Sequence, residues 1–321
     1  MSTPHRILLA TDGSEQSALA ARIAADLARA WHAELHIVEA WSAMLPYAAY
    51  GGLGTAPVLS GDTIDQLEAA SVETMAAARE IARGRGCTAV IEHRIDSPQA
   101  VDAILDVARA VDAELIVAGR RGLGAMGRLF LGSVSEGLVH RSTRPMLLVH
   151  GDASCWPPRT VVAAVDGSGE SARAAELGAA VAAAAGAVVE LVHAVPRDAD
   201  LLDGLSEPDY DGAVAEVTEQ YTREAQALAE QSGAPVHPRV DLAAAVPAIM
   251  SAAGDCPSPT LVAMGTHGRG AAYRLVLGSV STTVLHDERT TSVLIVPPPT
   301  RGTPHLVVVE SPTGATAPTA R

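Results

Sequence analysis

Apolar residues along this chain fall into two alternating rhythms. Ile7 to Ala10 is a short continuous apolar run, the pattern of a buried strand. Leu19, Ile23, Leu27 and Trp31 then recur every four residues, which predicts one buried face of a helix. Leu35 to Ala40 reads as a strand. Ile64, Leu67, Met75, Ala78 and Ala82 share a helical face that ends at Gly84 and Gly86, and Thr88 to Ile95 is strand-like again. Ser97-Pro98 predicts an N-cap and a first-turn proline ahead of a helix carrying Val101, Ile104, Leu105 and Ala108. Leu115 to Ala118 and Met146 to Val149 are the last two strands, with a helix between them.

The whole rhythm then repeats. Residues 7–41 align without a gap on 161–195, which puts Asp12-Gly13-Ser14 on Asp166-Gly167-Ser168 and Val38 on Val192. AELIVAGRRG (113–122) aligns on PTLVAMGTHG (259–268), and LFLGSVS (129–135) on LVLGSVS (275–281). This is duplication of a domain of about 145 residues, not a short solenoid repeat. Strands alternating with helices predict a parallel sheet covered on both faces. The expected fold is therefore α/β, two tandem five-stranded units over 1–150 and 158–299, joined by a linker at 151–157. Pro247 stands where Val101 does, which predicts a later start or a kink in that helix. Trp41 to Gly61 reads as a long loop. The Pro/Thr/Gly-rich tail, 300–321, is expected to be disordered, although HLVVVE could pair as an edge strand.

Composition narrows the function. Apolar residues make up 48% of the chain and aromatic ones 3%, so the cores must be built from Ala, Val, Leu and Ile. A net charge of -14 argues against a nucleic-acid surface, which needs a local Lys/Arg excess. MSTPHRILLATDGS shows no charged-then-apolar leader, and the longest apolar stretch, Leu177 to Val189, is too short to span a bilayer. The 3 cysteines are far apart with no C-x-x-C spacing. A cytoplasmic protein with no membrane and no nucleic-acid partner is expected.

The chemistry concentrates in GRRGLGAMGRLFLGSVS (119–135). Gly122, Gly124 and Gly127 spell G-x-G-x-x-G, and Gly122, Gly127 and Arg128 come close to a P-loop. The second copy discards both patterns, because Tyr273 replaces Gly127. A dinucleotide fingerprint also belongs after a first strand, whereas these glycines follow the fourth. What both copies keep is a sparser set: Gly119, Gly122, Gly132 and Ser133, repeated as Gly265, Gly268, Gly278 and Ser279. A strand precedes this set and a helix follows it. Its glycines would admit an anion to the backbone, and the helix N-terminus would favour a phosphate. A plain capping box, Ser133-x-x-Glu136, would explain Ser133 equally well in the first copy, but the second has Thr282 at the Glu136 position. Asp12 could merely cap the helix after T-D-G-S. Arg120, Arg121 and Arg128, with His267, Arg269 and Arg274 in the second copy, bring positive charge to an acidic protein.

This spacing, with an acid ending the first strand, resembles the universal stress protein family over 1–150 and 158–299. The resemblance implies a Rossmann-like sheet in order 3-2-1-4-5 with ATP across the carboxyl ends of its strands. It implies Asp12 and Asp166 at the ribose or at a phosphate-bound Mg²⁺, and the main chain of Val38 and Val192 at adenine. Gly119, Gly122, Gly132 and Ser133, with Gly265, Gly268, Gly278 and Ser279, would hold ribose and phosphates. Val134, Ser135, Val280 and Ser281 would add main-chain or hydroxyl donors. Arg128, Arg274 and His267 complete the expected ligand set, one site per domain. The resemblance also implies pairing through the last strand, giving an intramolecular pseudo-dimer, with a further homodimer left open.

No Walker lysine is present, and no acid, histidine or glutamine recurs beside the glycines in both copies except Asp12 and Asp166. His32 and His36 could ligate a metal only if they shared a helix, and His36 falls in the second strand. A nucleotide-dependent regulatory module in stress adaptation is the first reading. A slow Mg-dependent ATPase, or a chaperone-like protein with a vestigial pocket, are the alternatives.

Overall fold

A computed structural model describes residues 3–42, 61–122, 131–195, 207–255, 259–267, 277–287 and 292–298. The first half runs β1 (Arg6–Ala10), α1 (Glu15–Trp31), β2 (Glu34–Trp41), α2 (Gly61–Gly84), β3 (Val90–Asp96), α3 (Ala100–Ala110), β4 (Leu115–Gly119), α4 (Ser133–Arg141) and β5 (Met146–Val149). The second runs β6 (Thr160–Ala164), α5 (Gly169–Ala185), β7 (Val188–Ala194), α6 (Glu207–Glu230), β8 (Val236–Asp241), α7 (Ala245–Asp255), β9 (Thr260–Gly265), α8 (Ser279–His286) and β10 (Ser292–Val296).

The strands form one sheet of ten in the order β3-β2-β1-β4-β5-β10-β9-β6-β7-β8. Each half is thus 3-2-1-4-5, as the family resemblance implies, and all pairings within a half are parallel. The halves join where β5 and β10 run antiparallel, with Leu147 opposite Leu294 and Leu148 opposite Val293. Two unsatisfied edges thereby become an interior seam. Alternation along each strand sends Ile7, Leu9, Leu35 and Ile37 under α1 and α2, and Leu8 and Val38 under α3 and α4. Both layers are closed by small residues: Ala20, Ala21, Ala24, Ala25 and Ala28 of α1 are all buried. Alanine's lack of bulk lets the helix backbone lie close to the sheet.

Two local expectations are corrected. Ser97 does not cap α3. Its Oγ accepts from the Gln99 amide at 3.1 Å, and the helix starts afterwards at Ala100 with no side-chain cap. Pro247 neither delays nor kinks its helix. α7 starts at Ala245, so Pro247 lies in the first turn, where an amide has no intrahelical acceptor to lose. Residues 43–60 of the predicted loop and the whole of the tail, 300–321, lie outside the described residues.

Candidate nucleotide site

At the carboxyl edge of β1 the chain turns through Asp12-Gly13-Ser14. Gly13 has φ +79°, a left-handed conformation that favours glycine, and Gly167 repeats it at +76°. Ser14, not Asp12, is the cap of α1: its side chain accepts from the Ser17 amide, as Ser168 accepts from Ser171 in α5. Asp12 instead braces the turn, Oδ1 accepting from the Ser14 amide at 3.1 Å. Asp166 does the same for Ser168 at 3.0 Å.

Across from Asp12 stands the glycine cradle. A Cβ built on Gly122 would crowd Asp12 Oδ2, so a side chain here would displace the Asp12 carboxylate, and Gly122 has no unusual φ. Gly119 is equally confined: a Cβ there would meet the Arg121 carbonyl at 3.0 Å and the Gln16 backbone at 3.2 Å. The loop is closed by the Gly132 amide on the Arg120 carbonyl at 2.9 Å, and in the second half by Gly278 on Thr266 at the same distance. α4 and α8 then begin at Ser133 and Ser279, with Gly132 and Gly278 as their N-caps and no side-chain cap in either. The Ser133–Glu136 capping box is therefore absent.

Several expected donors have structural work. The Ser135 hydroxyl donates to the Gly119 carbonyl at 2.7 Å, and Ser281 to Gly265 at 2.9 Å, tying each helix to its strand. The Val38 carbonyl accepts the Thr11 amide at 3.0 Å and that of Val192 the Val165 amide at 2.9 Å, so both belong to the sheet ladder. The next residues on that side, Ala40 and Ala194, have no β1 or β6 residue opposite. Ala194 lines the cleft of the second half and Ala40 holds the matching ladder position in the first, which a count of ladder register would have found in the sequence.

Arg120 is the largest correction. It is 1% exposed, and its guanidinium points away from the cradle to the Asp287 carbonyl of the other half, both Nη atoms lying 3.3 Å away. His150 lies beside it. Burial, then the charges of Arg120 and Arg121, push the His150 imidazole down to about 4, so it is neutral at neutral pH. His32 closes α1 in a left-handed cap, while His36 is buried in β2 with Nδ1 3.0 Å from His93 Nε2, so the two do not converge. Arg128, Gly268, Arg269 and Arg274 lie outside the described residues.

Gln16 and Glu170 were not legible as site residues. Gln16 Oε1 accepts the Arg121 amide at 2.9 Å, and Glu170 Oε2 accepts that of His267 at 3.3 Å. Each pins the cradle to the second residue of the helix after β1 or β6. Their identical place in the duplication was the available signal. In the second half, Asp166, Val192, Ala194, Gly265, His267, Val280 and Ser281 all line one cleft, whose floor is Ile249 and Met264. An apolar floor under polar, glycine-lined walls suits a flat base with an anionic tail.

The family model of the universal stress protein family matches residues 4–150 and again 158–297. The chain belongs to the universal stress protein family. A universal stress protein of Mycolicibacterium smegmatis is 29% identical over 308 residues, covering 92% of this chain and 98% of its own. A solved universal stress protein from Archaeoglobus fulgidus shares the fold at 19% identity and a TM-score of 0.61, over 91% of this chain and 98% of that one. A single-domain universal stress protein solved in complex with cAMP is 29% identical and covers 46% of this chain and 98% of its own, with a TM-score of 0.35. Among the described residues, no helix is long and apolar enough to cross a membrane.

Proposed function

We propose that this tandem universal stress protein is a regulatory module that binds ATP at one site in each half. The observation that carries the reading is the pair of bare helix starts. α4 and α8 both open on a glycine N-cap with no side chain to fill it, directly behind β4 and β9. Their first amides and helix dipoles suit a phosphate chain, with the Ser133 and Ser279 hydroxyls as further donors. Gly119 and Gly265 let each strand end pack closely on Gln16 or Glu170, Gly122 packs on Asp12, and Gly268, Val134, Val280, Arg128, Arg274 and His267 complete the set. Asp12 and Asp166, facing the cradles, fit a ribose hydroxyl or a phosphate-bound Mg²⁺. Adenine would lie at the end of β2 and β7, read by main-chain groups at Ala40 and Ala194 beyond the ladder positions of Val38 and Val192.

Catalysis of hydrolysis would need a group placed for water attack, and Asp12 and Asp166 already brace their own turns. Binding that shifts conformation or partner choice is the better-supported role. The test is equilibrium dialysis of nucleotide-stripped protein against ATP, AMP and cAMP, with mass spectrometry of small molecules retained through native purification. Two equivalents of ATP, lost on D12A plus D166A, are expected. Uptake of none of the three would overturn the reading, and steady phosphate release abolished by the same double variant would move it to the ATPase.

A further inference from the structure

α1 and α5 pack against each other between the halves, and a groove lies on either side of the pseudo-twofold axis relating them. One groove is lined by Asp26, Leu27, Arg85, Trp156, Pro157 and Ala184. Trp156, from the linker, packs on the core there and donates its indole Nε1 to Asp26 Oδ2 at 2.9 Å. Arg85 holds the same carboxylate, Nε to Oδ1 at 2.8 Å. A volume of about 210 Å³ is left.

The duplication carries this groove to the other side position by position. Pro157 corresponds to Thr3, Ala184 to Ala30, Ala185 to Trp31, Asp26 to Ala180 and, by the turn that ends α2 and α6, Arg85 to Ser232. Each of those counterparts lines the second groove. The plug is what does not carry over, because the residue corresponding to Trp156 is Ser2. The second groove is correspondingly larger, about 380 Å³. That falls in the range of about 300–1,000 Å³ typical of small-ligand sites. Its walls include Trp31, Leu177, Ala183 and Leu228, and a carboxylate is again present. Glu176, 9% exposed, supplies it from one helical turn before the position that matches Asp26.

We propose that this second groove binds a small aromatic molecule with an N–H or ammonium donor, of the indole-ethylamine class. Its ring lies on Trp31, Leu177 and Leu228, and its donor meets Glu176. The first groove shows the chemistry in place, an indole held by apolar walls and a carboxylate, with this chain's own tryptophan as occupant. A planar ring buries much apolar surface at small entropic cost, and a largely buried carboxylate gains most from a charged donor. The groove opens beside the start of β1 and the end of α1, at the opposite sheet edge from the first half's glycine cradle. The inference therefore stands independently of the nucleotide reading.

Calorimetric titration of the full-length protein with tryptamine tests it. A saturable single site is expected, with a Kd of about 1 mM or tighter for a ligand of this size. In ¹H–¹⁵N spectra the Trp31 indole N–H should shift with the same saturation while that of Trp156 stays still. Ala183 is exposed, so Ala183→Trp can fill the groove without disturbing the core, and it should weaken binding about tenfold or more. Ser2→Trp with Thr3→Pro rebuilds the missing plug and should abolish binding. Glu176→Gln should cost tryptamine about tenfold and cost neutral indole much less. Absence of a saturable Trp31 shift in well-folded protein would overturn the proposal, as would binding that Ala183→Trp and the rebuilt plug leave unchanged.

Discussion

At the scale of single residues, the tightest constraint is the contact between Gly122 and Asp12. A methyl group at residue 122 would collide with Oδ2, so the Asp12 carboxylate would have to turn away from its bond to the Ser14 amide or the cradle would have to give way. Overpacking of this kind costs about 1–3 kcal/mol, roughly tenfold in an equilibrium. Gly122→Ala is thus expected to weaken the proposed nucleotide site of the first half about tenfold and to leave that of the second untouched, which dialysis would read as loss of one equivalent. The duplication made this glycine legible, because Gly268 repeats it. It did not disclose the reason, since a required left-handed φ and a required gap look alike in sequence. Arg120 was misleading for a related physical cause: a guanidinium beside glycines suggests phosphate, and only the packing of the two halves shows it turned inward. His150 adds a pH dependence. Its folded value of about 4 lies below the ordinary 6.5, so the unfolded chain binds this proton more readily. Its contribution to stability is complete above about pH 6.5 and is lost as pH falls towards about 4. Burial lowers His36 and His93 in the same direction. Urea midpoints at pH 7 and pH 5 should therefore fall less in His150→Gln than in the parent.

At the scale of elements, helix starts separate stability from function. α1 and α5 carry serine caps, while α4 and α8 start on bare glycine. Gly132 has φ -64° and ψ 145°, ordinary extended backbone that any residue adopts. A Cβ there would sit 3.4 Å from its nearest neighbour, the Arg121 Cα. Nothing in the backbone demands glycine at 132, whereas a Cβ at Gly278 would press on the Thr266 carbonyl at 3.0 Å, so the absent cap of α4 is the feature that needs explaining. Gly132→Asp would provide a capping carboxylate worth about 1 kcal/mol while placing negative charge where the phosphates are expected. The expected outcome is a raised thermal midpoint with loss of nucleotide at the first site. A variant that binds ATP as before would remove the helix start from the phosphate role. The outer strands show a second asymmetry. The Val189 and Val195 amides bond to the carbonyls of Pro235 and Asp241, so alternation turns Pro238 outward, where its missing N–H costs nothing and blocks further pairing. The β3 edge has no proline and relies on charges held by α2, Glu92 on Arg79 and Arg94 on Glu68. Strand and helix identities were readable from periodicity, whereas the start of α3 was not. Ser97 offers the same hydroxyl to a two-residue turn as to a helix cap, and the following proline fits both.

At the scale of the whole molecule, the antiparallel seam between β5 and β10 makes one sheet of two duplicated halves, and Arg120 locks it. Its backbone amide donates to the Val149 carbonyl at 2.7 Å, at the end of β5, and its side chain crosses to the carbonyl that caps α8. The corresponding Thr266 repeats the first bond, to Val296 at 3.1 Å, but is too short for the second. The lock is therefore one-sided, and it falls between the two cradles: Arg120 belongs to the first, and α8 runs from the second, at Ser279, to Asp287. A helix of this length spans only about 12 Å, so the two sites share a short rigid element. Arg120→Met keeps most of the volume and removes the charged donors. Hydrogen bonds from a buried charged group are worth about 1.5–3 kcal/mol, so the urea midpoint should fall by a corresponding amount. Because the side-chain bonds cross the seam, the loss should destabilise both halves together and appear as one transition with the same midpoint in tryptophan fluorescence and in far-ultraviolet circular dichroism. Arg121→Met, which removes a side chain of the same kind one residue further along the cradle, should change the midpoint much less. Equal midpoints for the two variants would show that the seam is held by the strands alone.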